Sequence, residues 1–270
     1  MNVFRSIPLL IVTLLFLSVP AVAQDYKETF NEAREAAAAK DYATAHAKYL
    51  EAIAGADAAD DAEVARTARY VAAQIDNAMG TQALKAENFE KALQHHTQGA
   101  ELFPEYIRNH YGRGLALKKL GRIEEALQAW QGILGSTQDR RTALAAENAI
   151  RDHFNFQAAS AISKRSVTPN DGDRVLAVLE NYQQYLDPDA DFYYFMALAY
   201  SAKGEHAQSV VAADQALAIH RGSRTDAAKI HFAKGEALVR VGDTAGAREA
   251  FTNAAFGPHK PAAEHYLSTL

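Results

Sequence analysis

The sequence predicts an all-α fold built from helix pairs stacked in a row. Three observations carry this expectation. First, a spaced pattern returns along the chain: a small residue, a helix opener nine residues on, then small, large and small residues at offsets of three, four and three. Its clearest copy is Gly114, Ile123, Ala126, Trp130 and Ile133. Others are Gly80, Phe89, Ala92, His96 and Gly99, then Gly235, Thr244, Ala247, Phe251 and Ala254, with weaker copies opening at Ala33 and Ala197. Self-similarity of this length marks a helical repeat. Second, Ala, Leu, Glu, Lys, Gln and Arg dominate, and no run alternates strictly enough for a strand. Third, turn residues fall where helix pairs need them.

Taken in order, the chain opens with Arg5, an apolar run over 7–19, Pro20 and the small-x-small sequence Ala21-Val22-Ala23. This reads as a cleavable export signal over 1–23. The competing reading is a retained anchor, but about 13 apolar residues fall short of the ~20 needed to span a bilayer. The repeat domain is expected over 24–270, with Gln24 as the mature start. No Cys follows the cleavage point and no twin-arginine pair precedes it, so the expectation is a periplasmic or secreted bacterial protein using the general export route.

Gly121, Gly204 and Gly242 are placed as left-handed caps at the ends of first helices. Asp41, Asn88 and Asp243 are placed as N-caps of second helices. Pro104, Pro188 and Pro258 follow second helices because Pro cannot continue the backbone ladder. The stretch 168–172, TPNDG, gives the strongest loop signal. The first repeat is Ala-rich and has Lys40 where the turn Gly is wanted.

Second-helix positions Ala45, Ala92, Ala126, Val175, Ser209 and Ala247 supply a ruler, with separations of 47, 34, 49, 34 and 38 residues. The excesses over 34 lie near whole numbers of helical turns. That predicts lengthened first helices near 60–86 and 139–165. The apolar stripes Val64, Ala68, Val71, Ile75, Met79 and Ala143, Ala146, Ile150, Phe154, Ala158, Ile162 agree. The alternative is an extra short helix or loop, particularly around Asn155. The last stretch, 260–270, reads as a short closing helix covering the final pair.

These residues resemble the tetratricopeptide repeat, a 34-residue unit of two antiparallel helices. The stretches 114–127, GLALKKLGRIEEAL, and 192–204, FYYFMALAYSAKG, match well, and the likeness covers nearly all of 26–260. The unit at 156–189 is degenerate, with Ser163 at the small position. The resemblance implies a right-handed α-solenoid of about six repeats with a short C-terminal capping helix. In that register Ala92, Ala126 and Ala247 let helices approach closely, while Tyr49, Trp130 and Phe251 fill the layer between pairs. Ala126→Leu should therefore overpack the contact and cost about 1–3 kcal/mol; an unchanged thermal midpoint would refute the register.

Composition removes several function classes. The 28 Lys and Arg less Arg5 leave 27 against 33 acidic residues, a mature charge of −6. That is no basic stripe for nucleic acid and no polybasic tract for acidic lipid. Cysteine is absent, so an exported chain relies on packing rather than disulfides. There is no nucleophile elbow and no phosphate-binding loop. None of the 10 histidines has a His, Asp or Glu three or four residues away, the spacing that puts two ligands on one helix face. His95 and His96 point to different faces, and His96 takes a packing position. Asp187, Asp189 and Asp191 open like a calcium loop, but Phe192 and Leu198 occupy the places of its Gly and Glu. Asp189 or Asp191 is more simply an N-cap. No metal, cofactor or catalytic residue is expected.

The resemblance also implies an inner groove lined by first helices. Its peptide-facing places are Asn77, Thr81 and Lys85; Arg108, Tyr111, Leu115 and Lys118; Tyr194, Leu198 and Ser201; and Lys229, Phe232, Glu236 and Arg240. One equivalent place holds Phe30, Asn77, Tyr111, Tyr194 and Phe232 in successive repeats. Aromatics there offer rigid contact area, and Arg and Lys can pair acidic groups; the plain structural alternative is that they pack on neighbours. The set does not match the Lys/Asn carboxylate clamp of chaperone-binding members. The expected function is a protein- or peptide-binding scaffold or adaptor of the cell envelope. An enzyme or solute-binding protein with a groove site unrecognisable from sequence is the alternative. Self-association through the two long helices is a third reading.

Overall fold

The computed structural model describes residues 22–163 and 166–270. The expected signal segment therefore lies, but for its last two residues, outside the described residues. Thirteen α-helices follow one another with no strand among the described residues. They are α1 (Val22–Ala38), α2 (Tyr42–Ala58), α3 (Ala62–Lys85), α4 (Phe89–Leu102), α5 (Arg108–Lys119), α6 (Ile123–Gln131), α7 (Arg140–Ile162), α8 (Pro169–Tyr182), α9 (Ala190–Lys203), α10 (His206–Ile219), α11 (Arg224–Val241), α12 (Thr244–Ala254) and α13 (Lys260–Thr269). In chain order these are six helix-turn-helix pairs and a closing helix, the architecture the tetratricopeptide resemblance implies.

The chain divides into two compact units, the first ending at Ala116 and the second comprising Leu117–Leu270. The repeat ruler marks no break there, because sequence spacing carries no record of where packing thins. In the first unit α2 packs on both α1 and α3, and α4 on α3. In the second unit each of α7 to α12 packs on the next, while α7, α9 and α11 also touch in series. Consecutive pairs there stack in the manner of an α-solenoid, with first helices side by side in one layer.

The ruler residues hold. Ala45, Ala92, Ala126, Val175, Ser209 and Ala247 are all buried, as are Tyr49, Trp130 and Phe251. Alanine at the tightest crossings lets backbones close up, and the aromatics then fill the layer at near-crystalline density. Both long helices are continuous, at 24 and 23 residues, about 35 Å each. Asn155 lies inside α7 rather than at a break. The caps also hold: Asp41, Asn88 and Asp243 accept from Thr44, Lys91 and Gly246 backbone N–H groups.

Turn chemistry differs between the units. Gly121, Gly204 and Gly242 take φ of 78°, 79° and 90°, whereas Lys40 and Glu87 carry the corresponding turns of the first unit at φ of 61° and 57°, and Asp60, between α2 and α3, takes 55°. A side chain costs about 1–2 kcal/mol in that region, so the Lys at position 40 does not abolish the turn; it makes it strained.

One expectation is corrected. The stretch 168–172 is a helix start, not a loop. Thr168 and Asp171 form a reciprocal capping box and Pro169 opens α8. Pro fits the first helical position because its missing N–H would be unpaired there anyway. Gly172 faces the backbone of α9, where an added Cβ would sit 2.6 Å from the Ala199 carbonyl. The residues that signalled a loop are the ones that start a helix against a close neighbour.

Candidate functional site

The best-defined polar and aromatic surface lies on the α9–α11 face of the second unit. Lys229, Phe232, Glu236 and Arg240 fall at helical spacings on α11 and share one stripe. Tyr194 on α9 faces it. The Lys229 ammonium donates to Asp191 Oδ1 at 2.6 Å and lies 4.9 Å from the Tyr194 ring centroid. Asn155 on α7 donates to the other oxygen of Asp191 at 3.3 Å. Burial, then the charges of Asp191 and Glu236, push the Tyr194 phenol above its usual value.

Beside Asp191, Asp189 gathers three partners. Its side chain caps α9 through the Phe192 N–H at 2.8 Å, and it accepts from Arg151 Nε at 2.6 Å and Tyr182 OH at 3.0 Å. The Arg151 guanidinium also reaches Glu147 and Asn148. Asp189 thus fixes α7, α8 and α9 together, and its place in an apparent calcium motif is explained by capping. Among the described residues no group of three or more His, Cys, Asp or Glu could hold a metal ion.

Toward the other end of α11, Glu236 is partly buried. Burial lifts its carboxyl above the ordinary value, opposed by a hydrogen bond from Tyr266 OH at 3.2 Å and by the charge of Arg240. Tyr266 on α13 stacks on Phe251 at 4.3 Å and 4° between planes, with Phe232 edge-on to Phe251 at 5.5 Å. The closing helix therefore contributes directly to this surface.

The raised Glu236 carboxyl has a definite consequence. An acid that binds its proton more tightly folded than unfolded contributes stability below the unfolded pKa and loses it as pH rises through the folded value. Glu236→Gln should therefore flatten the fall in stability as pH rises above about 4. Urea midpoints measured from about pH 4 upward test it; a variant whose midpoint falls with pH as steeply as the parent contradicts the burial assignment.

The structure distributes the sequence-expected residues unevenly. It brings together Tyr194, Phe232, Glu236 and Arg240, with Lys229. Lys118, in the same unit, extends its ammonium to 5.9 Å from the Trp130 ring. Asn77, Lys85, Arg108 and Tyr111 lie in the first unit, where Arg108 stands 5.8 Å over the Tyr106 ring and burial pushes the Tyr111 phenol up. The packing alternative applies to two of the aromatics: Phe30 is edge-on to Tyr49 at 5.6 Å and Phe232 to Phe251.

Sequence reasoning missed a buried cluster in the first unit. Asp76 on α3 is fully buried and receives His46 Nε2 from α2 at 2.9 Å and His95 Nδ1 from α4 at 3.3 Å. Next to it, His96 Nδ1 donates to Asn109 Oδ1 at 3.3 Å, and Asn109 Nδ2 donates to the Ala73 carbonyl at 2.8 Å. The His96 ring fills the slot left by Gly80 and Gly112, where an added Cβ would come within 2.7 and 2.3 Å of it. Burial holds His96 below its usual pKa, so it serves as a neutral packing residue. No helical-spacing search finds these pairs, because their partners are 30, 19 and 13 residues apart.

No protein-family model matches the chain, and no curated protein matches it. Among solved structures it is similar to tetratricopeptide repeat proteins. MamA protein is 14% identical, with a TM-score of 0.37 over 73% of this chain and 94% of that one. YrrB, described as a TPR protein with an unusual peptide-binding site, is 14% identical, with a TM-score of 0.37 over 72% and 90%. A tetratricopeptide repeat protein from Parabacteroides merdae is 15% identical, with a TM-score of 0.34 over 91% and 98%.

Proposed function

We propose that this chain is a protein- or peptide-binding scaffold of the bacterial cell envelope, and that the α9–α11 face holds a segment of its partner. The observation that carries the reading is the composition of that face. Tyr194 and Phe232 supply rigid apolar area, while Lys229, Glu236 and Arg240 supply both signs of charge on one stripe of α11. Partly desolvated aromatic and charged groups of this kind concentrate binding energy, and Glu236 keeps a burial penalty that a partner's donor would relieve. The first-unit residues Asn77, Lys85, Arg108 and Tyr111, and Lys118 on α5, remain candidates for further contacts. Export through the segment 1–23 would place this surface in the periplasm or outside the cell.

A photo-crosslinking side chain at Arg240, introduced in the native cell, tests the reading. One captured protein or peptide is expected, lost when Tyr194→Ala and Lys229→Ala are combined and not captured from exposed Gln208 on α10. Equal capture from both positions contradicts a specific face. Fractionation with N-terminal sequencing tests the location: a periplasmic or secreted product starting at Gln24 is expected, and a cytoplasmic chain retaining residue 2 overturns it.

A further inference from the structure

A second surface lies in the first unit and does not depend on the α9–α11 face. A surface cavity of about 710 Å³ is lined by Ala62, Glu63, Arg66, Thr67 and Tyr70 of α3 and by Phe103, just beyond α4. The five α3 residues form two adjacent rows at four-residue steps, 62/66/70 and 63/67, on one side of the helix. All five fall in the first nine residues of the helix, within the stretch by which this repeat exceeds 34 residues between Ala45 and Ala92. The lengthening of α3 thus does more than keep a helix in phase: it supplies one wall of a cavity that a unit of ordinary length would lack.

The walls have a specific chemistry. Tyr70 is 40% exposed, yet its ring is fixed edge-on to Phe103 at 5.2 Å and to Tyr106 at 5.8 Å. Three interlocked rings present apolar area that loses little entropy on binding. The Arg66 guanidinium lies 5.9 Å from the Phe103 centroid and makes no ion pair among the described residues. Its neighbour Arg69, by contrast, is paired with Asp57. A guanidinium stacked on a ring keeps its edge free for the two oxygens of a carboxylate. The lining's single acid, Glu63, sits in the first turn of α3, where it complements the helix amino end.

We propose that this cavity docks an acidic peptide segment, one that places an aromatic or large aliphatic side chain against Tyr70 and Phe103 and an adjacent carboxylate on Arg66. Charge complementarity selects this occupant. The lining offers one guanidinium, Arg66, held outside any ion pair among the described residues, while its one carboxylate, Glu63, sits in the first turn at the amino end of α3; that matches a single carboxylate and falls far short of the basic stripe a nucleic acid needs.

A phage-displayed random peptide library selected against the full chain tests the proposal. Peptides pairing Asp or Glu with an aromatic or Leu are expected to be enriched. Their affinity, measured by calorimetry, should fall roughly tenfold or more with Arg66→Gln and with Tyr70→Ala, fall with Arg66→Lys, which keeps charge but loses the planar fork, and stay unchanged with Arg69→Gln. Both test positions are exposed, and an unchanged circular dichroism spectrum shows that the variants fold. Enrichment of peptides without carboxylates, affinities indifferent to Arg66 and Tyr70, or no enrichment at all overturns the assignment. So does a dimer that Tyr70→Ala dissociates when no peptide is enriched, which gives the surface to a second copy.

Discussion

Asp76→Ala is expected to destabilise the first unit by about 3–5 kcal/mol, the scale for removing one partner of a buried charged cluster. The carboxylate ties α2, α3 and α4 through His46 and His95. Without it, two largely buried imidazoles keep their donors and lose their acceptor, and the cavity left behind adds to the loss. Replacing all three residues by Leu should recover much of the deficit, because an apolar cluster has no desolvation to repay. The measurement needs a probe in the right unit. The single tryptophan, Trp130, lies in the second unit, so its fluorescence is a poor reporter. Amide exchange in α3 and α4, alongside urea unfolding by circular dichroism, is the appropriate readout. Unchanged protection in those helices would show that the cluster is not structural.

Phe251→Ala should cost the second unit a comparable 3–5 kcal/mol. Phe251 is fully buried. Its ring lies against Gly235, where an added Cβ would come within 2.8 Å, and stacks on Tyr266. Removing it opens a cavity and takes away the surface on which α13 rests, since Ala263, Tyr266 and Leu267 pack into the same cluster. Faster amide exchange should appear first in α13 and then in α12. Because Tyr266 donates to Glu236, partner binding through the α9–α11 face should weaken as well. Exchange in α13 that matches the parent would place the anchoring of the closing helix elsewhere.

The two residues were not equally legible. Phe251 sits at a fixed offset from Gly235 and Ala247, so its burial follows from the repeat. Its stacking on Tyr266 does not, because the closing helix lies outside the repeated unit. Asp76 gave no signal: a charged residue on a first helix reads as a solvated face, and its two histidines are on other helices. Glu236 was placed by register, but its burial and its hydrogen bond from Tyr266 of α13 depend on packing outside the repeated unit. Pro169 was misread because loop residues and helix-start residues are the same amino acids, and only the position of α9 distinguishes the two uses.

By itself the sequence determined the local and periodic part of this protein. Cap chemistry, small residues at close crossings and whole-turn spacing act within one helix pair, so they are written at short separations and repeat. The tertiary structure alone decided which polar groups meet and where the chain divides into two units. It also decided that the added turns of α3 wall a cavity. These depend on contacts between residues 13 to 38 positions apart and on the fit of non-repeated segments, for which a repeating pattern has no code.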